Sequence, residues 1–332
     1  MVPTYLPNLP IILNYFGLSP FPAKMLLAMN PTSGEPSAGG SEGVPALSAE
    51  TMMATAATAA PRRPTCRFVV TGFGPFRGVP DNPTKSLVRR LCECRDEVGL
   101  PDVHECRVME TSAGHVRDEV EGIYSRLRRS SSAGGVDRRD DGGLAGSTNV
   151  VVVLHLGVDC NGTRFKLERC AYNDATFRAP DERGYLPCRE CISLLRGGGA
   201  DDDDSHALPP REWGECIETT LDLDDLCCRL RERDGDDEAA VIVSADPGRF
   251  VCNYTYYLSL NSCRSVNDKL RRDDDVENNG VGGGGDNTMR RRHHALFVHV
   301  PPFDVVSEGR QLDFIVRVMK AIERQIIEGS RE

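Results

Sequence analysis

The chain has 332 residues, with 40 Lys and Arg against 50 Asp and Glu and a formal charge of −10. That balance, with basic runs only at Arg62-Arg63 and 290–292, argues against nucleic acid as the main partner, because binding phosphates requires clustered cations that displace counterions. The 13 cysteines are an odd number spread over a long chain without a secretory leader, so they read as reduced thiols and not as a disulfide framework.

Residues 1–65 are poor in charge and rich in Ala, Ser, Thr and Pro, the composition of a disordered N-terminal extension. The apolar patch at 9–18 is broken by Pro10 and Asn14 and falls short of the roughly 20 residues that span a bilayer, so no membrane association is expected. An organelle-targeting leader within 1–64 stays open; otherwise a cytoplasmic location is expected. Ordered sequence begins with RFVVTG at 67–72, an apolar run stopped by glycine, as in a buried strand. Asn82 then caps a helix with Pro83 in its first turn, and Leu87, Val88, Leu91 and Val98 mark its apolar face.

A strand at 103–109 and a helix at 113–128 lead into a flexible, Gly- and Ser-rich insertion at 129–148. NVVVVLHLGV at 149–158 is almost continuously apolar, which predicts a strand covered on both faces. An acidic insertion at 196–212 precedes a helix at 223–233, a strand at 239–244 and the turn Asp246-Pro247-Gly248-Arg249. Cys252 follows at the junction where a strand hands over to a helix. A third insertion, 265–293, separates it from the strand ALFVHVP, and the last helix, 311–328, carries Leu312, Ile315, Val316, Met319, Ile322 and Ile326 on one face. The alternation predicts one α/β domain over 66–329, a three-layer α/β/α sandwich around a central, mostly parallel twisted sheet with long loop insertions.

Within that order, a thiol at a helix N-terminus faces unpaired backbone N–H groups that favour its thiolate, which makes Cys252 a candidate nucleophile. His299, near the end of a strand, is a candidate base, since open sheets expose functional groups there. Taken singly, both are as readily core residues. Gly72-Phe-Gly74 fails as a dinucleotide fingerprint because Arg77 stands where the third glycine belongs. Phe73 and Phe76 instead make the loop apolar and able to wall a pocket for a flat uncharged group, or else they belong to the core. A carboxylate at Glu168 could orient an imidazole or pair with Arg169 or Arg178. Cys188-Arg-Glu-Cys191 has the spacing of half a zinc site, but no second half follows, so no metal is expected.

Taken together and in order, VVTGFGPFRGVPDNP at 69–83, LERCAYNDATFRAPDERG at 167–184, SADPGRFVCNYTYYLSL at 244–260 and FVHVPP at 297–302 resemble the signatures of the pyroglutamyl peptidase I family of cysteine peptidases. The resemblance implies a cofactor-free omega-peptidase acting on N-terminally pyroglutamylated peptides, with Cys252 as nucleophile, His299 as base and Glu168 as acidic partner. It further implies that Phe73, Phe76 and Asn82 belong to the region receiving the pyroglutamyl ring, and that Arg178 lies near the oxyanion. Pro247, where the family more usually has a small residue, and the long segment between Cys252 and His299 depart from the pattern. Two rivals follow from these departures and from the CxxC pair: an inactive homologue binding N-terminally blocked peptides or a protein partner, and a thiol redox protein using Cys188 and Cys191.

Overall fold

The computed structural model describes residues 65–132, 149–194, 211–231, 241–278 and 292–329. The expected extension over 1–64 and most of the insertions at 129–148 and 196–212 lie outside the described residues. The first strand, β1 (Thr65–Phe73), is followed by α1 (Pro83–Cys94), β2 (Asp102–Met109), α2 (Ala113–Ser132) and β3 (Asn149–Val158). Three short strands come next, β4 (Phe165–Glu168), β5 (Cys170–Tyr172) and β6 (Cys216–Glu218), then α3 (Leu223–Arg231), β7 (Val241–Ser244), α4 (Val251–Asn278), β8 (His293–Val300) and α5 (Glu308–Gly329).

Six strands form one sheet in the order β2-β1-β3-β8-β4-β7. Its pairings are parallel except between β4 and β8. Alternation along each strand divides the core in two. Phe68, Val70, Val152, Leu154, Leu156, Leu296 and Val298 join residues of α1, α3 and α5 on one face. Val69, Val151, Val153, Ala295 and Phe297 join residues of α2 and α4 on the other. The three-layer α/β architecture expected from the sequence is therefore the one observed.

Three local expectations need correction. Helix α1 ends at Cys94, and Val98 is fully exposed instead of lying on its apolar face. Gly99, at φ 89°, turns the chain so that Leu100 takes the place on the core that Val98 was expected to hold. Helix α4 runs to Asn278, through the first half of the insertion expected at 265–293. Cys263, Val266 and Leu270 continue its buried stripe, so packing overrides the polar composition of that segment. Arg211, within the insertion expected at 196–212, is buried, pairs with Glu215 and donates to Asn261 Oδ1 at 3.1 Å.

At one glycine the architecture depends on the absence of a side chain. A Cβ on Gly72 would lie 2.7 Å from the Thr84 carbonyl oxygen and 2.8 Å from Val88 Cγ2, so β1 and α1 touch only because that position is bare. The contact fixes the loop 74–82 between them. Asn82 closes that loop: its Oδ1 accepts from Thr84 N at 3.1 Å while its Nδ2 donates to Gly74 O at 2.9 Å.

Candidate active site

The strand alternation that builds the core also decides which side chains meet. On β8, Ala295 and Phe297 face the α2/α4 layer, so His299, two residues further on, faces it too. On β4, Phe165 and Leu167 enter the opposite layer, which turns Glu168 toward α4. Phe165 stacks on Phe314 of α5 at a centroid distance of 3.7 Å, anchoring this four-residue strand. The antiparallel register sets Glu168 opposite Phe297 and Lys166 opposite His299. Glu168 is thus a diagonal neighbour of His299 on one face, within side-chain reach.

Glu168 Oε1 lies 2.8 Å from His299 Nδ1, and the carboxylate is wholly buried. That bond leaves Nε2 for Cys252. Burial alone would lower the pKa of His299, but hydrogen bonding to Cys252 and to Glu168 outweighs it and raises the imidazole to about 10. The imidazolium is consequently the stable form at neutral pH.

Space for the imidazole is made by a second glycine. Gly157 on β3 pairs with His299, and a Cβ there would lie 2.6 Å from Cε1 and Cζ of Phe297 and 3.2 Å from His299 Cδ2. The Phe297 ring fills that gap, 4.8 Å from His299. Behind it stand Phe73 at 6.4 Å and His155 at 6.1 Å. His155 is fully buried, its Nδ1 lies 2.7 Å from Thr71 Oγ1, and burial lowers its pKa to about 3.

Cys252, half-buried, is the second residue of α4. The turn before it is closed by a bond from Gly248 N to Asp246 Oδ1 at 3.1 Å, with Gly248 at φ 82° and Pro247 buried. Proline is favoured at such a turn position, so its presence is compatible with the turn that aims the thiol. Residues on both sides of Cys252 are tied to one segment. Arg249 donates to Asp174 at 3.2 Å and lies over the Tyr172 ring at 4.1 Å. Asn253, fully buried, accepts from Tyr172 N at 2.8 Å and donates to Tyr172 O at 2.9 Å and Asp174 O at 3.0 Å.

The remaining candidates are spread around this centre. Phe76, half-buried, lies 6.5 Å from Phe250, which makes an edge contact with Phe177 at 4.8 Å. These rings flank the start of α4. Phe73 is buried in the core. Asn82 is buried and occupied as the helix cap and loop tie described above. Arg178, next to Phe177, is exposed and forms no ion pair among the described residues. Cys188 is exposed and Cys191 half-buried, both in the excursion that returns through the Ala175–Glu190 bridge. Sequence reasoning did not single out Gly157 or Asn253, whose roles depend on contacts between elements far apart in the chain.

No protein-family model matches the chain. Pyroglutamyl-peptidase 1 of Mus musculus is 25% identical over 261 residues, covering 77% of this chain and 91% of the mouse protein. The human protein of the same name is 27% identical over 192 residues, covering 58% of this chain and 71% of its own length. Among solved structures, a pyrrolidone carboxyl peptidase from the hyperthermophile Pyrococcus furiosus superposes with a TM-score of 0.51 at 18% identity, over 78% of this chain and 99% of that one. The chain is thus similar in sequence to pyroglutamyl peptidase I and shares the fold of pyrrolidone carboxyl peptidase, the resemblance its four sequence blocks carry.

Proposed function

We propose that this protein is a cysteine-type omega-peptidase that hydrolyses the amide bond after an N-terminal pyroglutamyl residue. The observation carrying the reading is the contiguity of a helix-N-terminal thiol, Cys252, an imidazole hydrogen-bonded to it, His299, and a buried carboxylate 2.8 Å behind that imidazole, Glu168. The pyroglutamyl part of the reading rests on the similarity to pyroglutamyl-peptidase 1.

In this mechanism the Cys252 sulfur attacks the pyroglutamyl carbonyl carbon, and the carbonyl electrons move onto oxygen. Backbone N–H groups at the start of α4 hold the developing negative charge, and Arg178 is the cation that the family resemblance assigns to assist them. The C–N bond breaks as His299 gives its proton to the departing amine, leaving a thioester on Cys252. Neutral His299 then takes a proton from water, the hydroxide adds to the thioester carbonyl, and collapse expels the Cys252 thiolate, releasing pyroglutamate and restoring the thiolate–imidazolium pair. Glu168 holds the ring in the tautomer and orientation these transfers need.

Selectivity follows from charge. A pyroglutamyl group is a lactam without the cationic amine of an ordinary N-terminus, so an apolar wall such as Phe76 accepts it without desolvating a charge. Phe73 is buried behind Phe297 in the core and backs the imidazole side of the site. The test is release of a fluorescent amine from a pyroglutamyl amide, with an unblocked glutamyl amide as control. Turnover confined to the lactam supports the reading. Equal turnover of both amides, or tight binding of the lactam without turnover by folded protein, overturns it, the latter in favour of a binding protein.

A further inference from the structure

Tyr256 lies four residues beyond Cys252, one turn along the same face of α4, and its side chain is fully buried. Its hydroxyl donates to the main-chain carbonyl of Glu168 at 2.9 Å. Its ring lies 5.8 Å from that of Phe297. Glu168 and Phe297 are directly opposite each other in the β4–β8 register. One phenol, rooted in the helix that carries the thiol, therefore touches the strand of the carboxylate and the strand of the imidazole where those two strands meet.

Such a tie matters because it fixes Glu168 to the thiol-bearing helix, which its pairing with Ser244 on β7 and Phe297 on β8 does not do. Glu168 is the last residue of a four-residue strand. Its carboxylate is oriented by the bond to His299 alone, since Oε2 has no hydrogen-bond partner among the described residues. The position of the carboxylate thus depends on the position of its main chain. We propose that Tyr256 is a positioning residue for the reaction: through its hydroxyl it fixes the Glu168–His299 pair relative to the Cys252 helix. The inference rests on the peptidase reading of the site. Burial pushes the phenol well above its ordinary pKa, so the hydroxyl remains a donor throughout the working pH range.

The experiment compares wild type, Tyr256→Phe and a control, Tyr124→Phe, which removes another buried hydroxyl bonded at 2.9 Å to Ser259 further along α4. Tyr256→Phe keeps the ring and deletes the donor. The expected result is a kcat about five- to tenfold lower with KM little changed, the scale of one lost hydrogen bond, and an alkaline limb of kcat/KM displaced to lower pH. In a Glu168→Gln background the same change adds no further displacement. Tyr124→Phe lowers the thermal midpoint and leaves the limb in place. The pH dependence of Cys252 alkylation by iodoacetamide reports the same imidazole without requiring turnover, so failure of the peptidase reading is seen separately as absent hydrolysis with an intact alkylation profile. If Tyr256→Phe leaves both the kinetic and the alkylation limbs where wild type has them, the hydroxyl is only a packing feature and the inference is overturned.

Discussion

Gly157→Ala is the substitution whose consequences follow most directly from the packing around His299. The added Cβ would stand 2.6 Å from Cε1 and Cζ of Phe297 and 3.2 Å from His299 Cδ2, whereas carbon atoms rest at about 3.5–4.0 Å. The Phe297 ring must therefore retreat by about 1 Å. Its room to do so is bounded by Phe73, His155 and Tyr256, with centroids at 6.4, 6.1 and 5.8 Å. Overpacking of this kind costs about 1–3 kcal/mol, and His299 must itself give by about 0.3–0.8 Å, close to the roughly 1 Å misplacement that lowers turnover about a hundredfold. We expect Gly157→Ala to lower the thermal midpoint and to reduce kcat/KM toward a pyroglutamyl amide by about that factor. Gly309→Ala serves as control, because a Cβ there meets nothing within 4 Å. Wild-type kcat/KM and midpoint in Gly157→Ala would refute the argument that a bare position on β3 makes room for the imidazole.

Glu168→Gln removes the carboxylate that helps to raise the His299 pKa to about 10, so the alkaline limb of kcat/KM should move to lower pH; an unmoved limb would exclude Glu168 as the cause. A folded-state pKa raised above the unfolded value of about 6.5 contributes stability that is complete below that value and lost as pH rises through about 10. Unfolding curves should therefore show wild type losing that contribution across this window, and Glu168→Gln losing less of it. Asn253→Ala strips the Tyr172 amide and two carbonyls of their partners; denaturant unfolding should show a loss of about 2–4 kcal/mol, and kinetics a fall in kcat larger than any rise in KM. His155 and His293 are buried, and burial lowers them to about 3 and about 4. Below pH ~6.5 the unfolded chain binds protons that the folded one refuses, so stability should fall as pH drops toward 4, by up to about 1.4 kcal/mol per unit for each histidine; a flat acid profile would contradict their neutral burial.

The parts of the fold legible in the sequence are those whose local signals agree with their tertiary surroundings. The continuous apolar run of β3 announces a strand covered on both faces, and Asn82 with Pro83 marks the start of α1. β4, β5 and β6 were not foreseen, since strands of three or four residues are too short to display a period. Glu168 shows the difficulty most sharply: from its own segment it could orient an imidazole or pair with Arg169 or Arg178, the family resemblance alone favoured the first, and the antiparallel pairing with β8 shows it wholly buried against His299. The same holds for Asn253, whose three bonds reach back some 80 residues to Tyr172 and Asp174. Asn82 carries a mixed lesson, because the cap was visible while its second bond, to Gly74 O, depends on the tight β1–α1 contact at Gly72.

The central claim is that Cys252 becomes acylated by the pyroglutamyl group. Its most direct test is acid-quenched intact-mass analysis, with peptide mapping, of wild type and Cys252→Ala during turnover of a pyroglutamyl ester whose fast acylation lets the intermediate accumulate. The account predicts one pyroglutamyl increment on the Cys252 peptide of wild type, lost on treatment with hydroxylamine, and neither increment nor turnover in Cys252→Ala. Turnover that persists in Cys252→Ala, or an increment mapping to another cysteine, would contradict it.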